Sequence, residues 1–270
     1  MWERSSFLMR LVASSVSISE SAGRIIKDII RKGDLKIVNK GVGGITDLQT
    51  EADRLAQDCI VQSLQKKFGG NLIIIGEEVL FHKTNCTLLE QITVLIGISY
   101  KGRPIAGIVH QPYYGKDGGG RTVWAVVGVG VHGIKISNEQ KERVVVTTKN
   151  HSTALVVEAL DALKSKGLLD KVQKVGGAGF KVLKCLEGAA AYVYANSGCK
   201  KWDTAAPEAV LKAAGGNFTD VSGRLFYYGA DAQVVNTGGI IATSNWVKHE
   251  DIVNGIPDHI KDALPEYVNS

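Results

Sequence analysis

The sequence predicts a mixed fold, an α+β half followed by an α/β half, and three observations carry that reading. Two long stretches near the N-terminus hold apolar residues at helical spacing. From Ile92 to about Val146 the pattern turns to strands with tight connections between them. Beyond that, short apolar runs alternate with helical patterns, as in helices layered on a sheet. The shift near residue 140 marks the predicted boundary: an N-terminal α+β domain over 1–140 and a C-terminal α/β domain over 141–270. There is no internal repeat and no low-complexity tract.

The elements follow in order. Phe7, Leu8, Leu11 and Val12, then Ile18, Ala22, Ile25, Ile26, Ile29 and Ile30, predict one long amphipathic helix, bent near Ser17–Ser19. A second helix is expected directly after Asp47, through Leu48, Ala52, Leu55, Ala56, Cys59, Ile60 and Leu64, with Gly69-Gly70 stopping it. Leu72–Ile75 reads as a strand. ITVLIGISY and PIAGIVHQPYY read as strands joined at Lys101-Gly102-Arg103, and RTVWAVVGVGVHGIKIS as a further hairpin. In the second half the expected order is strand 144–148, helix 153–164, strand 172–175, helix 179–187, strand 190–195, helix 204–213, strand 239–243 and a helical tail.

Composition narrows the functional classes. The 270 residues are 44% hydrophobic and 22% charged, with a formal net charge of +5 spread along the chain. That balance suits anionic small molecules. Basic and aromatic residues do not interleave as single-strand binders require, so no nucleic-acid partner is expected. The four cysteines form no C-x-x-C pair, which points to a reducing, cytoplasmic setting rather than a disulfide framework. Arg10 interrupts the apolar FLMRLVASSVS, and no run reaches the roughly 18–20 apolar residues of a membrane span, so no membrane partner is expected.

Two glycine motifs are weaker than they look. Gly128-Val129-Gly130-Val131-His132-Gly133 fits G-x-G-x-x-G, but the IKISN that follows is a strand pattern, not the helix a dinucleotide fingerprint needs. Gly176-Gly177-Ala178-Gly179-Phe180-Lys181 lacks Walker spacing and reads first as a packing turn. It does lie between a strand and a helix, where backbone N–H groups and Lys181 can hold an anion. Three acids stand out: Asp47 opening a helix, Glu77 ending a strand in IIIGEE, and Asp203 starting a helix in GCKKWDTAAPEAV. Singly, each Asp reads as a helix cap and Glu77 as a solvated strand end.

ITDLQTEAD, IIIGEE and GCKKWDTAAPEAV nevertheless occur in that order, with LMRLVASSVSISESAGRII before them and IPDHIKDALP after. With QPYYG, VVVTTKNHS and KVGGAGFK, they make the chain resemble the lithium-sensitive, magnesium-dependent phosphomonoesterases related to inositol monophosphatase. The KKWDTAAPE form resembles the 3′(2′),5′-bisphosphate nucleotidases within them. The resemblance implies a layered αβαβα sandwich, with the N-terminal sheet shortened here, and two or more Mg²⁺ ions. It implies a small-molecule substrate, adenosine 3′,5′-bisphosphate, with inositol phosphates as the alternative. It implies Glu77 and Asp203 as metal ligands and Asp47 as the residue that helps activate the attacking water. Thr148 and His151 would touch the nucleotide side, with Gly177 and Lys181 nearby.

The chain departs from that family at one place. Its members carry D-P-x-D-G-T between the strand ending in GEE and the strand reading VTVLIG. This chain instead passes from Glu78 to Ile92 through VLFHKTNCTLLEQ, with Glu90 as its only acid. A skipped exon, or a wrongly joined gene model, would leave such a clean excision. Two divalent ions about 3.5–4 Å apart need several carboxylates, and Mg²⁺ takes six oxygens in octahedral array. Glu77 and Asp203 alone offer too little charge, so weakened metal binding and reduced or absent turnover are expected. A fold that binds nucleotide without cleaving it, or an aberrant product, are the other expectations.

Overall fold

The structure is a computed structural model that describes residues 6–33, 38–39, 48–49, 51–76, 86–138, 142–149 and 153–265. The chain divides into two compact units, Met1–Ile96 with Ile108–Thr122, and Gly97–Gly107 with Val123–Ser270.

The first unit opens with α1 (Phe7–Lys32). Ser6 caps it by accepting from Met9 N–H at 3.3 Å, and Gly33 ends it in the left-handed conformation, φ 76°. Leu11, Val12, Ile18, Ala22, Ile26 and Ile29 form the buried stripe that the periodicity predicts. Short strands β1 (Val38–Asn39) and β2 (Leu48–Gln49) pair antiparallel. α2 (Glu51–Phe68) therefore starts later than expected. Leu48 belongs to a strand, and the helix begins where Glu51 and Asp53 place negative charge in its first turn. Asp47, expected to open the helix, lies outside the described residues, and the described helix opens at Glu51. α1 and α2 pack together, and Ala22, Ile26, Ile29, Ala52 and Ala56 make one core with Ile92 and Val94.

Leu72–Ile75 is a second correction. Leu72 is extended (φ −127°, ψ 136°), yet 72–76 joins no ladder, and Ile73 is 79% exposed. A strand exists by virtue of a neighbour, and among the described residues this apolar run has none.

Four strands, β3 (Val94–Tyr100), β4 (Arg103–Gln111), β5 (Arg121–Val126) and β6 (Gly130–His132), lie side by side in that order. Lys101 (φ 50°) and Gly102 (φ 71°) turn β3 into β4, both central residues having the positive φ of a two-residue type I′ hairpin. The G-x-G-x-x-G match falls at the β5–β6 hairpin with no helix after it; β6 ends at His132, and the IKISN read as strand forms none.

The second unit continues with β7 (Val144–Thr148), α3 (Ala154–Ser165), β8 (Lys171–Val175), α4 (Ala178–Leu186) and β9 (Ala191–Tyr194). Then come β10 (Cys199–Lys200), α5 (Lys201–Ala213), β11 (Asn217–Thr219), β12 (Val235–Asn236), β13 (Ile240–Thr243), α6 (His249–Gly255) and α7 (Asp258–Asp262). The large sheet runs β11-β13-β9-β7-β8, parallel across β9-β7-β8 and antiparallel beyond. α3 packs with α6 and β9; α4 packs with α5 and with β7, β9 and β13. Right-handed crossovers, one stepping from β7 outward to β8 and the next back across to β9, put α3 and α4 on opposite faces. α5 in turn lies on the backbone of β3 and β4. A Cβ on Gly97 would meet the Ala205 Cβ at 2.6 Å, and one on Gly107 the Ala206 carbonyl oxygen closer still. Helices, sheet, helices and sheet thus succeed one another within this unit. The α1–α2 pair packs on the start of β3 in the other.

Candidate active site

The parallel part of the large sheet sets the geometry. The strand order reverses at β7, which lies between β8 and β9, and such a switch point opens a crevice at the carboxyl ends of the strands. Thr148 is the last residue of β7, buried and in register with Val175, the last of β8. Gly176 and Gly177 follow at once. Gly177 caps α4 at φ 67°, ψ 126°, a conformation open to glycine and strained for any side chain. One turn into α4, Lys181 is 5% exposed, and its Nζ stands 5.1 Å from the Tyr192 ring centroid.

Asp203 comes from α5, whose start is earlier than the sequence reading placed it. Lys200 is the N-cap, and Asp203 sits in the first turn, reaching back so that its Oδ2 accepts the Lys200 N–H at 3.2 Å. The Cys199 thiol lies 4.0 Å from the same oxygen. Lys200 Nζ stands over the Trp202 ring at 5.7 Å.

Electrostatics join these groups. Burial pulls the Lys181 pKa down to about 8, with Cys199 and Asp203 acting in the opposite direction. Burial also pushes the Cys199 thiol far up, so its sulfur is neutral and Asp203 is the charge that Lys181 faces. Burial raises the Asp203 pKa, against the Lys200 N–H and the ammonium groups of Lys200 and Lys181.

The sequence pattern of the inositol monophosphatase family matches residues 81–261. A 3′(2′),5′-bisphosphate nucleotidase 1 of Homo sapiens is 39% identical, with 95% of this chain and 97% of that protein covered. The chain belongs to the inositol monophosphatase family. Another 3′(2′),5′-bisphosphate nucleotidase 1, of Dictyostelium discoideum, is 32% identical over 91% of this chain and 96% of its own. The fold agrees. CysQ from Bacteroides thetaiotaomicron, solved as a bacterial member of the inositol monophosphatase family, superposes with a TM-score of 0.70 at 19% identity, covering 88% of this chain and 98% of its own. The alignment with the human protein runs over 308 residues against the 270 of this chain, so it includes stretches of that protein without a counterpart here.

Membership of the inositol monophosphatase family implies metal-dependent catalysis, and the donors can be set against that. Among the described residues no group of three or more His, Cys, Asp and Glu side chains could hold a metal ion. Asp203 is the one expected ligand within them. Asp47, Glu77 and His151 lie outside the described residues. Glu90 is exposed in the 3₁₀ turn Cys86–Gln91, its carbonyl accepting from Gln111 Nε2 at 2.8 Å. One carboxylate beside two ammonium groups fits part of one cation's shell and does not fit a pair of divalent ions. Thr148, Gly177, Lys181 and Asp203 all belong to the second unit, around α4 and α5. Sequence reasoning missed Cys199 and Tyr192. The cysteine four residues before Asp203 was a visible signal; Tyr192, in the apolar run AAAYVYA, left none.

Among the described residues no helix is long and apolar enough to cross a membrane. Cys59, Cys185 and Cys199 are free thiols.

Proposed function

We propose that this chain binds adenosine 3′,5′-bisphosphate at the carboxyl ends of β7 and β8 and hydrolyses its 3′-phosphate slowly, as a reduced member of the bisphosphate nucleotidases. The observation that carries this is the packing of α4 on α5, which sets the buried Lys181 and the first-turn Asp203 on neighbouring helices beside the glycine-capped start of α4. A buried ammonium group and a carboxylate at two adjoining helix starts are what a phosphate ester and its counter-cation need together. In this reading the first-turn N–H groups of α4 and Lys181 hold a phosphate, Thr148 and His151 hold the nucleoside side, and Asp47 orients the attacking water. Asp203, with Glu77, takes the cation. Mg²⁺, where bound, polarises the phosphoryl oxygens and lowers the pKa of its water. We place the protein in the reducing cytoplasm, where three free thiols persist.

The test is phosphate release from adenosine 3′,5′-bisphosphate with added Mg²⁺, using Asp203→Asn as the control. Slow release that disappears in the control supports the reading. A second reading, binding without cleavage, rests on the absence of D-P-x-D-G-T from the sequence. It is favoured if calorimetry shows nucleotide binding while no phosphate is freed. Inositol phosphates released in preference to the nucleotide would overturn the substrate assignment.

A further inference from the structure

α5 carries a flaw just behind Asp203. Pro207 lies inside the helix and has no N–H, so the carbonyl of Asp203, four residues earlier, loses its helical partner. The turn that bears Asp203 is therefore tied less firmly to the rest of α5 than an ordinary first turn. Asp203 itself spends one carboxylate oxygen on the N-cap amide. Within the turn the Thr204 hydroxyl donates to the Lys201 carbonyl at 3.1 Å, so what ties the turn onward past the proline must come from outside the helix.

Tyr228 stands at that place. Its hydroxyl donates to Glu208 Oε2 at 2.5 Å, just after the proline. Glu208 is wholly buried, and its other oxygen accepts from Lys212 Nζ at 2.5 Å. Tyr228 is anchored in turn on the β3–β4 hairpin. Its N–H donates to the Gly102 carbonyl at 2.9 Å, and its carbonyl accepts from Ser99 Oγ at 3.0 Å. On the near side Lys201 N–H donates to the Val234 carbonyl at 2.9 Å, with its ammonium over the rings of Phe226 and Tyr228. Beneath, Gly97 and Gly107 leave no side chain between α5 and the sheet.

We infer that Tyr228 and Glu208 form a splint across Pro207 and are positioning residues for Asp203, holding in tertiary contacts the turn that the proline has loosened. Nothing in the proposed chemistry uses either side chain directly, and a buried carboxylate bonded on both oxygens is costly to place without a purpose. The positioning role rests on the reading of Asp203 as a cation ligand; the splint itself does not.

The experiment separates the two. Amide hydrogen exchange is followed at Ala205, Ala206 and Glu208, whose helical acceptors are Lys201, Trp202 and Thr204, in wild type, Tyr228→Phe, Pro207→Ala and the double variant. Mn²⁺ binding is measured by electron paramagnetic resonance on the same proteins. A charge-assisted hydrogen bond of this kind predicts about tenfold faster exchange at these amides in Tyr228→Phe. Mn²⁺ binding should weaken severalfold, and Pro207→Ala, which restores the missing N–H, should recover both in the double variant. General loosening would lower the melting temperature without that rescue. Unchanged exchange at these amides in Tyr228→Phe, or no recovery with Pro207→Ala, overturns the splint. Should Tyr228→Phe not fold, Glu208→Gln keeps the shape and weakens the same bond. If Asp203→Asn leaves Mn²⁺ binding intact, the cation reading fails, and the exchange result still decides the splint.

Discussion

His110 shows how one buried side chain ties pH to stability in the first unit. Thr122 Oγ1 donates to Glu20 Oε1 at 3.0 Å, so it must accept the proton of His110 Nδ1, 2.9 Å away. The other ring nitrogen faces α1 at Gly23, where an added Cβ would collide with it. Burial lowers the His110 pKa from 6.5 to about 4, Glu20 opposing and Lys27 and Arg24 assisting. The folded state thus keeps the ring neutral while the unfolded chain protonates it. Stability from this group is whole above pH 6.5 and drains away as pH falls toward about 4, to a total of about 3 kcal/mol. Urea unfolding at pH 7 and pH 4.5 should show wild type losing about 2–3 kcal/mol more than His110→Gln across that interval. Equal losses in the two proteins would mean the histidine is not the cause.

α5 has its place because two strands beneath it lack side chains at the contact. Gly107→Ala would drive a methyl into the Ala206 carbonyl oxygen, a backbone atom that cannot step aside. Overpacking of that kind costs about 1–3 kcal/mol, whereas Gly70→Ala meets open space without positive φ and should change little. A thermal melt of both variants checks the contrast; equal melting temperatures would show that α5 floats free of the sheet. The same elements show what the sequence revealed. β7, α3, β8 and α4 were legible because strand and helix periods alternate there between clear glycine punctuation. β3 and β4 were legible from the Lys101-Gly102 turn. Leu72–Ile75 was not, since an apolar run specifies burial but not the neighbour that makes it a strand. Leu48 misled because one apolar residue at helical spacing fits the end of a short strand equally well. In the proposed site, Asp203 and Lys181 were singled out through flanking motifs. Tyr192 was invisible, because an aromatic in a core strand looks the same whether or not a lysine rests on it.

The chain keeps the fold of its family, superposing on a solved member over 88% of its length, while its sequence passes from Glu78 to Ile92 without D-P-x-D-G-T. Folding and catalysis respond differently to such a loss. A fold draws on burial spread over many residues, so it tolerates local change. A site for divalent ions draws on a few oxygens, and removing two carboxylates takes away much of its charge. Losing even an outer partner of a ligand costs about 10–100-fold in metal affinity or activity, so losing the ligands themselves should cost at least about 100-fold. Inserting a segment that carries D-P-x-D-G-T between Glu78 and Ile92 should therefore raise Mg²⁺-dependent phosphate release by about 100-fold or more. Nucleotide binding without metal should change far less, since Thr148, Gly177 and Lys181 lie in the second unit and are untouched. Calorimetry of the chimaera without Mg²⁺, beside the release assay with it, reads both quantities. A chimaera that melts cooperatively and binds Mg²⁺, yet releases phosphate no faster than the natural chain, would show that the limit on turnover lies elsewhere.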